Sequence, residues 1–270
     1  MVDIYQVLKD RNPALADKLQ PWGRFVLRAV TREKKLNRLL QKFEKLEPGD
    51  FCREILNEVG LKVSYRGIEN LKKTENPVVC ANHPMGGPEG LALIGCLWDK
   101  FGSLRVPANE LLGILPPLKP IVIPVDANNP QRTHLDQLKK SFEEPSPMLF
   151  FPAGVTARMR GKKLKEYPWR SGFVTLSRKA NRSIVPVRIT GRNSWHFYTL
   201  HKVRKLLGIS FNLEMSLLVD ELFRQRGKSI TCTFLTPVTL RTSKDGIGSL
   251  RDYDRELTSN LSYLCGSSYD

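Results

Sequence analysis

Acidic residues are in short supply in this chain of 270 residues: 27 Asp and Glu face 43 Lys and Arg, for a formal net charge of +16 at pH 7. Such an excess disfavours cationic partners and favours anionic ones, whether nucleic acid, an anionic membrane surface, or an acidic protein or ligand. Long apolar runs are missing too. No segment approaches the roughly 18 uninterrupted apolar residues of a membrane-crossing helix. The opening Met1-Val2-Asp3-Ile4-Tyr5 has no basic stretch leading into an apolar one, so no secretory signal is expected. Cysteine is sparse and odd in number. The five, Cys52, Cys80, Cys96, Cys232 and Cys265, are scattered without a C-x-x-C pair, and three lie in apolar runs. That usage points to a reduced, cytoplasmic protein without structural zinc, so the metal expectation is none. What is present is a 41% hydrophobic content, enough for a core. The length suits one large domain or one domain with an appendage.

The first sixty or so residues read as helical. Pro21-Trp22 can open a helix, and Trp22, Phe25, Val26, Ala29 and Val30 share a face. Leu36, Leu39, Leu40, Phe43 and Leu46 recur at helical spacing, with Lys and Arg opposite. A cap packed on the main domain is the favoured reading; a basic amphipathic element lying on an anionic bilayer is the other. Pro48-Gly49-Asp50 interrupts the pattern, a helix over 50–58 follows, and Gly60 suits its C-terminus. From Leu61 the texture alternates. Strands are expected at 61–65, 77–82, 104–108, 121–125, 147–151, 184–190 and 230–235, and helices at 88–100, 131–143, 171–180 and 214–226. This predicts an α/β fold with a mostly parallel sheet flanked by helices, functional residues lying in loops at strand ends. Three segments result: an N-terminal helical segment over 1–60, a main domain over 61–240, and an amphipathic C-terminal tail over 241–270.

Three constellations could carry chemistry. In Asn82-His83-Pro84-Met85-Gly86-Gly87-Pro88-Glu89 a histidine leaves a short apolar strand and a carboxylate enters an apolar helix. A lone His is more often structural, but Pro88 suits a first helical turn and Glu89 then meets the positive end of the helix dipole. An ionised Glu89 would fix the tautomer of His83 and leave its other nitrogen as a base. The Gly86-Gly87 amides could hold an oxyanion. Next, Phe151-Pro152-Ala153-Gly154 turns out of a strand, with Arg158, Lys162 and Lys163 beyond it; between Val155 and Arg182 there are nine Lys or Arg and a single acid, Glu166. A solvated basic loop is the plain reading, and an anion-binding turn the favoured one. Last comes Ile184-Val185-Pro186-Val187, where a proline within a strand implies an edge or a local irregularity.

Taken in order, strand–NHPxGG–acid–helix, then FPxG with a following Arg, then VPV resembles the glycerolipid acyltransferase superfamily, typified by lysophosphatidate acyltransferases. That pattern usually has four residues between His and Asp. Here the acid is Glu89, one place later. The longer spacing, Trp169-x-x-Gly172-Phe173 and Gly191-Arg192-Asn193-Ser194 are similar to the hemolysin-like, lyso-ornithine-lipid branch. The superfamily's acid in the FPEG turn is Ala153 here, and Val155 stands where the branch often places Glu, so that carboxylate is missing from the turn.

The resemblance implies transfer of a fatty acyl chain from a thioester, acyl-CoA or acyl-carrier protein, to a lyso-lipid hydroxyl, with His83 as general base oriented by Glu89. It implies no cofactor beyond the donor itself. Asn82, Gly154, Arg158, Lys162, Lys163 and Arg192 would bind substrate. The expected setting is cytoplasmic, peripheral on the inner face of an anionic membrane. A Ser or Cys nucleophile is not obvious, although Cys80 is close in sequence. Two competitors remain at this level: a non-catalytic membrane-binding protein keeping the fold, which the missing carboxylate favours, and a nucleic-acid binder. The second has only the charge behind it, since no zinc pattern, basic zipper or aromatic RNA-binding strand is present, so no nucleic acid is expected.

Overall fold

The computed structural model describes residues 2–11, 13–125, 132–161, 163–206, 217–241, 249–266 and 268–269. Five helices open the chain: α1 (Ile4–Arg11), α2 (Pro13–Asp17), α3 (Pro21–Val30), α4 (Glu33–Phe43) and α5 (Pro48–Val59). Then come β1 (Lys62–Arg66), a 3-10 turn over Ile68–Lys73, β2 (Val78–Ala81) and α6 (Pro88–Phe101). A small excursion follows with β3 (Val106–Ala108), α7 (Glu110–Gly113), β4 (Val122–Pro124) and α8 (Arg132–Ser141). The chain continues through β5 (Met148–Phe150), β6 (Arg158–Arg160), β7 (Lys163–Lys165), α9 (Gly172–Lys179) and β8 (Ile184–Thr190). It ends with α10 (Trp195–Leu206), α11 (Leu218–Phe223), β9 (Ser229–Phe234), α12 (Leu250–Leu264) and β10 (Ser268–Tyr269).

The central sheet runs β1-β9-β8-β2-β5 and is parallel except between β8 and β9. Period-two alternation along β2 sends Val79 and Ala81 into one core and Val78 and Cys80 into another. The first core is closed by α4, α5 and α6 through Leu39, Phe43, Phe51, Ile55, Leu93 and Leu97. The second is closed by α9 and α12 through Phe173, Val174 and Leu261. The result is a sheet between two helical layers, the mixed α/β fold read from the sequence. Because α4 and α5 share a core with the sheet, no hydrophobic boundary falls at residue 60. Of the helix expected over 214–226, residues 214–216 lie outside the described residues, and Leu218–Phe223 is helical.

Strand order explains where a site must form. The chain leaves β2 to build β5 on one side, then passes back to build β8 on the other. The parallel ends of β8, β2 and β5 therefore open onto a common edge at a topological switch point, where loops diverge and leave a crevice.

Three features depart from the sequence reading. Pro186 is not on an edge, because β8 lies between β2 and β9. Its register partner on β2 is Cys80, and its carbonyl accepts from Leu235 N–H at 2.8 Å, just past the end of β9. The missing proline N–H thus falls where the β8–β9 ladder has already ended, so the local irregularity is realised and the edge is not. Arg158–Arg160 and Lys163–Lys165, in the stretch read as a basic loop or turn, pair as antiparallel strands β6 and β7, joined by β10. Finally, α3 docks by the Gly23 side rather than by its aromatic face: Gly23 is buried, while Trp22 is 72% and Phe25 74% exposed, with Val26 and Val30 also exposed. The capping role suits α4 and α5, and α3 leaves its apolar face open.

Candidate active site

His83 stands just past the end of β2, on the common edge of the three parallel strands. Its Nδ1 lies 3.2 Å from Glu89 Oε1, off the line of a well-directed hydrogen bond. The imidazole lies against Phe151, at the exit of β5, with ring centroids 4.3 Å apart. Nδ1 is buried while the side chain as a whole stays 18% exposed, so the solvent-facing part belongs to the rest of the ring.

Glu89 is wholly buried in the first turn of α6. Its Oε1 accepts the N–H of Met85 at 2.7 Å and of Gly86 at 2.8 Å, and its Oε2 accepts from Gly87 at 3.2 Å. Burial acts to raise the Glu89 carboxyl, but the His83 contact and the Gly86 and Met85 amides outweigh it and hold the group below its ordinary range. The fixed carboxylate therefore stays ionised beside the imidazole. The loop closes this tightly because Gly86 has φ +88° and a Cβ there would strike Thr156.

This arrangement corrects one expectation. The Gly86 and Gly87 amides do not face outward toward an oxyanion; both donate to Glu89, which gathers the free donors at the head of α6 as a capping carboxylate does. Asn82 is also committed. It is fully buried, its Nδ2 donates to Ile189 O at 2.9 Å, and its Oδ1 accepts from Ile189 N at 2.7 Å. It ties the exit of β2 to β8 and so serves as a clamp rather than a substrate ligand. Arg158 is buried on β6 rather than offered as an open fork. Its Nη1 donates to Thr156 O at 2.9 Å, and its guanidinium lies over the Phe197 ring at 4.7 Å. Gly154 forms the turn beyond β5, its N–H donating to Phe151 O at 2.9 Å. Lys163 on β7 and Arg192 after β8 are exposed, and Lys162 lies outside the described residues.

Two carboxylates escaped the sequence reading as site components. Glu166, just beyond β7, is buried; it accepts the backbone N–H of His83 on one oxygen and Trp169 Nε1 at 2.7 Å on the other. Burial raises its carboxyl by more than those two bonds and the nearby His83 lower it. A carboxylate thus reaches the His83 loop although the Pro-Ala-Gly turn carries none. The available signal was its solitude as the one acid in a strongly basic stretch. The second is Glu221 on α11, buried and accepting Ser194 N at 2.6 Å and Ser194 Oγ at 2.5 Å. It anchors the Gly191–Ser194 loop, from which Asn193 Nδ2 donates to Met85 O at 3.0 Å. Gly191 suits that loop, since its φ of +156° strains a residue with a side chain and a Cβ would press on the end of Met85.

Cys80, close to His83 in sequence, is set apart from it. It is fully buried in the core beneath α12, where Cys265 Sγ approaches its carbonyl at 3.9 Å. Burial, reinforced by Cys265, pushes its thiol well above the ordinary value, the opposite of an activated nucleophile.

The chain is similar to known proteins along nearly its whole length. A lyso-glycine lipid O-acyltransferase from Bacteroides thetaiotaomicron is 31% identical over 246 residues, covering 90% of this chain and 90% of that protein. Another from Phocaeicola vulgatus is 32% identical over 247 residues, covering 90% and 88%. The fold is similar to the crystal structure of the 1-acyl-sn-glycerophosphate (LPA) acyltransferase PlsC from Thermotoga maritima, with a TM-score of 0.50 and 18% identity over 97% of this chain and 94% of that one. The acyltransferase family matches residues 6–270. The chain belongs to that family, and with it to the glycerolipid acyltransferase superfamily.

Proposed function

We propose that the chain moves a fatty acyl group from a thioester, acyl-CoA or acyl-carrier protein, to the hydroxyl of a lyso-lipid, with His83 as general base and Glu89 as its orienting carboxylate. The observation that carries this reading is the His83–Glu89 couple, 3.2 Å apart at the open edge of the sheet. In the step itself, His83 takes the acceptor hydroxyl proton as that oxygen forms a bond to the thioester carbonyl carbon. The C–S bond then breaks, and the proton passes from His83 to the departing thiolate. Glu89 stabilises the imidazolium in between, as the buried acid of a triad does. Because the relatives from Bacteroides thetaiotaomicron and Phocaeicola vulgatus are lyso-glycine lipid O-acyltransferases, a lyso-glycine lipid is the proposed acceptor. Exposed Arg192 and Lys163 are proposed to attract anionic substrate groups.

A membrane surface fits the same reading. Among the described residues no helix is long and apolar enough to cross a membrane. The open face of α3, with Trp22 and Phe25 projecting beside Arg24 and Arg28, combines apolar and cationic groups as an interfacial helix does. The proposed setting is the inner face of an anionic bilayer, where the lyso-lipid acceptor resides.

The test is transfer by purified protein, with labelled acyl-CoA and acyl-carrier protein offered separately against lyso-glycine lipid, lyso-ornithine lipid and lysophosphatidate in anionic vesicles. Transfer to lyso-glycine lipid is expected, with a loss of about 10³-fold or more in His83→Ala. A folded His83→Ala protein with substantial activity would refute the mechanism, and transfer confined to another acceptor would refute the substrate assignment.

A further inference from the structure

His83 is contacted through both its ring and its peptide. Its ring lies against Glu89 and the Phe151 ring. Its backbone carbonyl accepts from Ala157 N–H at 2.9 Å, which binds it to the turn after β5. Its backbone N–H goes to Glu166. Those last two contacts come from the two strands at the open base of the β6–β7 hairpin, since Ala157 directly precedes β6, Glu166 directly follows β7, and Arg158 pairs with Lys165. The hairpin therefore grips the His83 peptide from both sides.

Glu166 is the more demanding of the two grips. A carboxylate in a buried position needs its oxygens satisfied. Here one oxygen is given to the His83 amide, and the other to the buried indole of Trp169 at 2.7 Å. Trp169 packs edge-on against Phe173 of α9, which faces the second core. The chain of contacts thus runs from the body of the fold, through an indole and a carboxylate, to the backbone of the proposed base. A residue engaged only in holding the hairpin down would not need to end on that particular amide.

We propose that Glu166 is a positioning residue for acyl transfer: by holding the His83 backbone against Trp169, it sets where the imidazole meets the acceptor hydroxyl. It brings a carboxylate to the His83 loop from the end of β7, across the hairpin base from Ala157. This inference rests on His83 being the base, and it goes beyond that reading by adding a group that touches neither substrate nor the reacting atoms. Gln in its place keeps the size but turns one acceptor oxygen into a donor, so one of the two N–H groups loses its partner. Asp keeps both acceptors on a shorter arm.

The test compares wild type, Glu166→Gln, Glu166→Asp, His83→Ala and Leu164→Ala. Leu164 is a buried residue of β7 that points into a separate small cluster, so its truncation loosens the hairpin without removing a contact to His83. Misplacement of a reacting group by an ångström or so costs about 10²-fold in rate, so Glu166→Gln should lower kcat by about 10- to 100-fold with both KM values within about twofold. Glu166→Asp should recover part of that loss. Leu164→Ala should lower the unfolding midpoint and keep kcat near wild type for the folded fraction. If folded Glu166→Gln keeps wild-type kcat while His83→Ala is inactive, the positioning role is overturned and the base assignment stands. If Leu164→Ala loses kcat as Glu166→Gln does at equal stability, the role is only structural and the proposal likewise falls. If His83→Ala itself remains active, the underlying reading of the site falls first.

Discussion

Glu89 and Glu166 are both buried beside His83, yet their environments drive them in opposite directions. Glu89 sits at the head of α6 and collects three backbone N–H groups as well as the imidazole contact, so its carboxyl is held below the ordinary range despite burial. Glu166 lies outside any helix terminus and collects one backbone N–H and one indole N–H, so burial prevails and its carboxyl is raised. The number of converging donors, rather than burial alone, decides which carboxylate is securely charged. The two also act on different parts of His83: Glu89 addresses the ring, Glu166 the peptide. That division implies that loss of Glu89 should damage the chemistry more deeply than loss of Glu166.

The largest effect is therefore expected from Glu89→Gln. The substituted amide turns a donor toward amides that need an acceptor, and it removes the charge that favours the imidazolium. A fall in kcat of about 10⁴-fold is expected, of the order seen when the acid of a triad is neutralised. Glu89→Ala should also lower stability substantially, because each buried amide left without a partner costs about 1–3 kcal/mol. Steady-state rates and urea unfolding of the same preparations would check both. A Glu89→Gln protein no more impaired than Glu166→Gln would erase the distinction between ring and peptide.

The contrast between these residues also explains what could be read from sequence. His83 and Glu89 are joined by a short loop that bears its own instructions: a strand exit, two glycines, Pro88 and a helix start. Local rules were enough to pair them. Glu166 meets His83 across 83 residues, through a hairpin whose three-residue strands are mostly charged and too short to show the sustained apolar alternation that marks a strand. Asn82 shows the reverse limit. Its place beside His83 made it look like a ligand, and only the neighbouring strand reveals that Ile189 occupies both ends of its amide. The alternating core strands and the apolar α6 were legible because burial writes a period into them. The exposed apolar face of α3 was legible as amphipathic, but sequence alone did not tell which side would dock.

A smaller effect, opposite in sign for the two groups, should appear in stability against pH. Glu89 has a folded-state value below the unfolded one, so its contribution is present above the unfolded carboxylate range and is lost as pH falls through the folded value. Glu166 has a folded-state value above the unfolded one, so its contribution is greatest below the unfolded range and is lost as pH rises through the folded value. Urea unfolding from about pH 4 to about pH 7, spanning the ordinary Glu value near 4.3, would separate them. The advantage of wild type over Glu89→Gln should grow with rising pH, and its advantage over Glu166→Gln should shrink. Parallel curves for the two variants would mean that the carboxylates are not differently charged.

The smallest effect is expected at Cys80, and it tests whether the comparison concerns the right group at all. If acyl transfer ran through a covalent thioester on this strand, the two carboxylates would be serving a nucleophile rather than a base. The strand's alternation argues otherwise, because Cys80 points into the core beneath α12 while His83 stands beyond the strand end, at the open edge. Burial keeps its thiol protonated, and a thiol in that state is a poor nucleophile. Cys80→Ala should therefore keep kcat within about twofold of wild type, at a stability cost of about 1 kcal/mol for the lost packing. Rates and unfolding midpoints measured together would decide it. A folded Cys80→Ala protein without activity would move the chemistry to the far side of β2, and Glu89 and Glu166 would then have to be explained as supports of the loop alone.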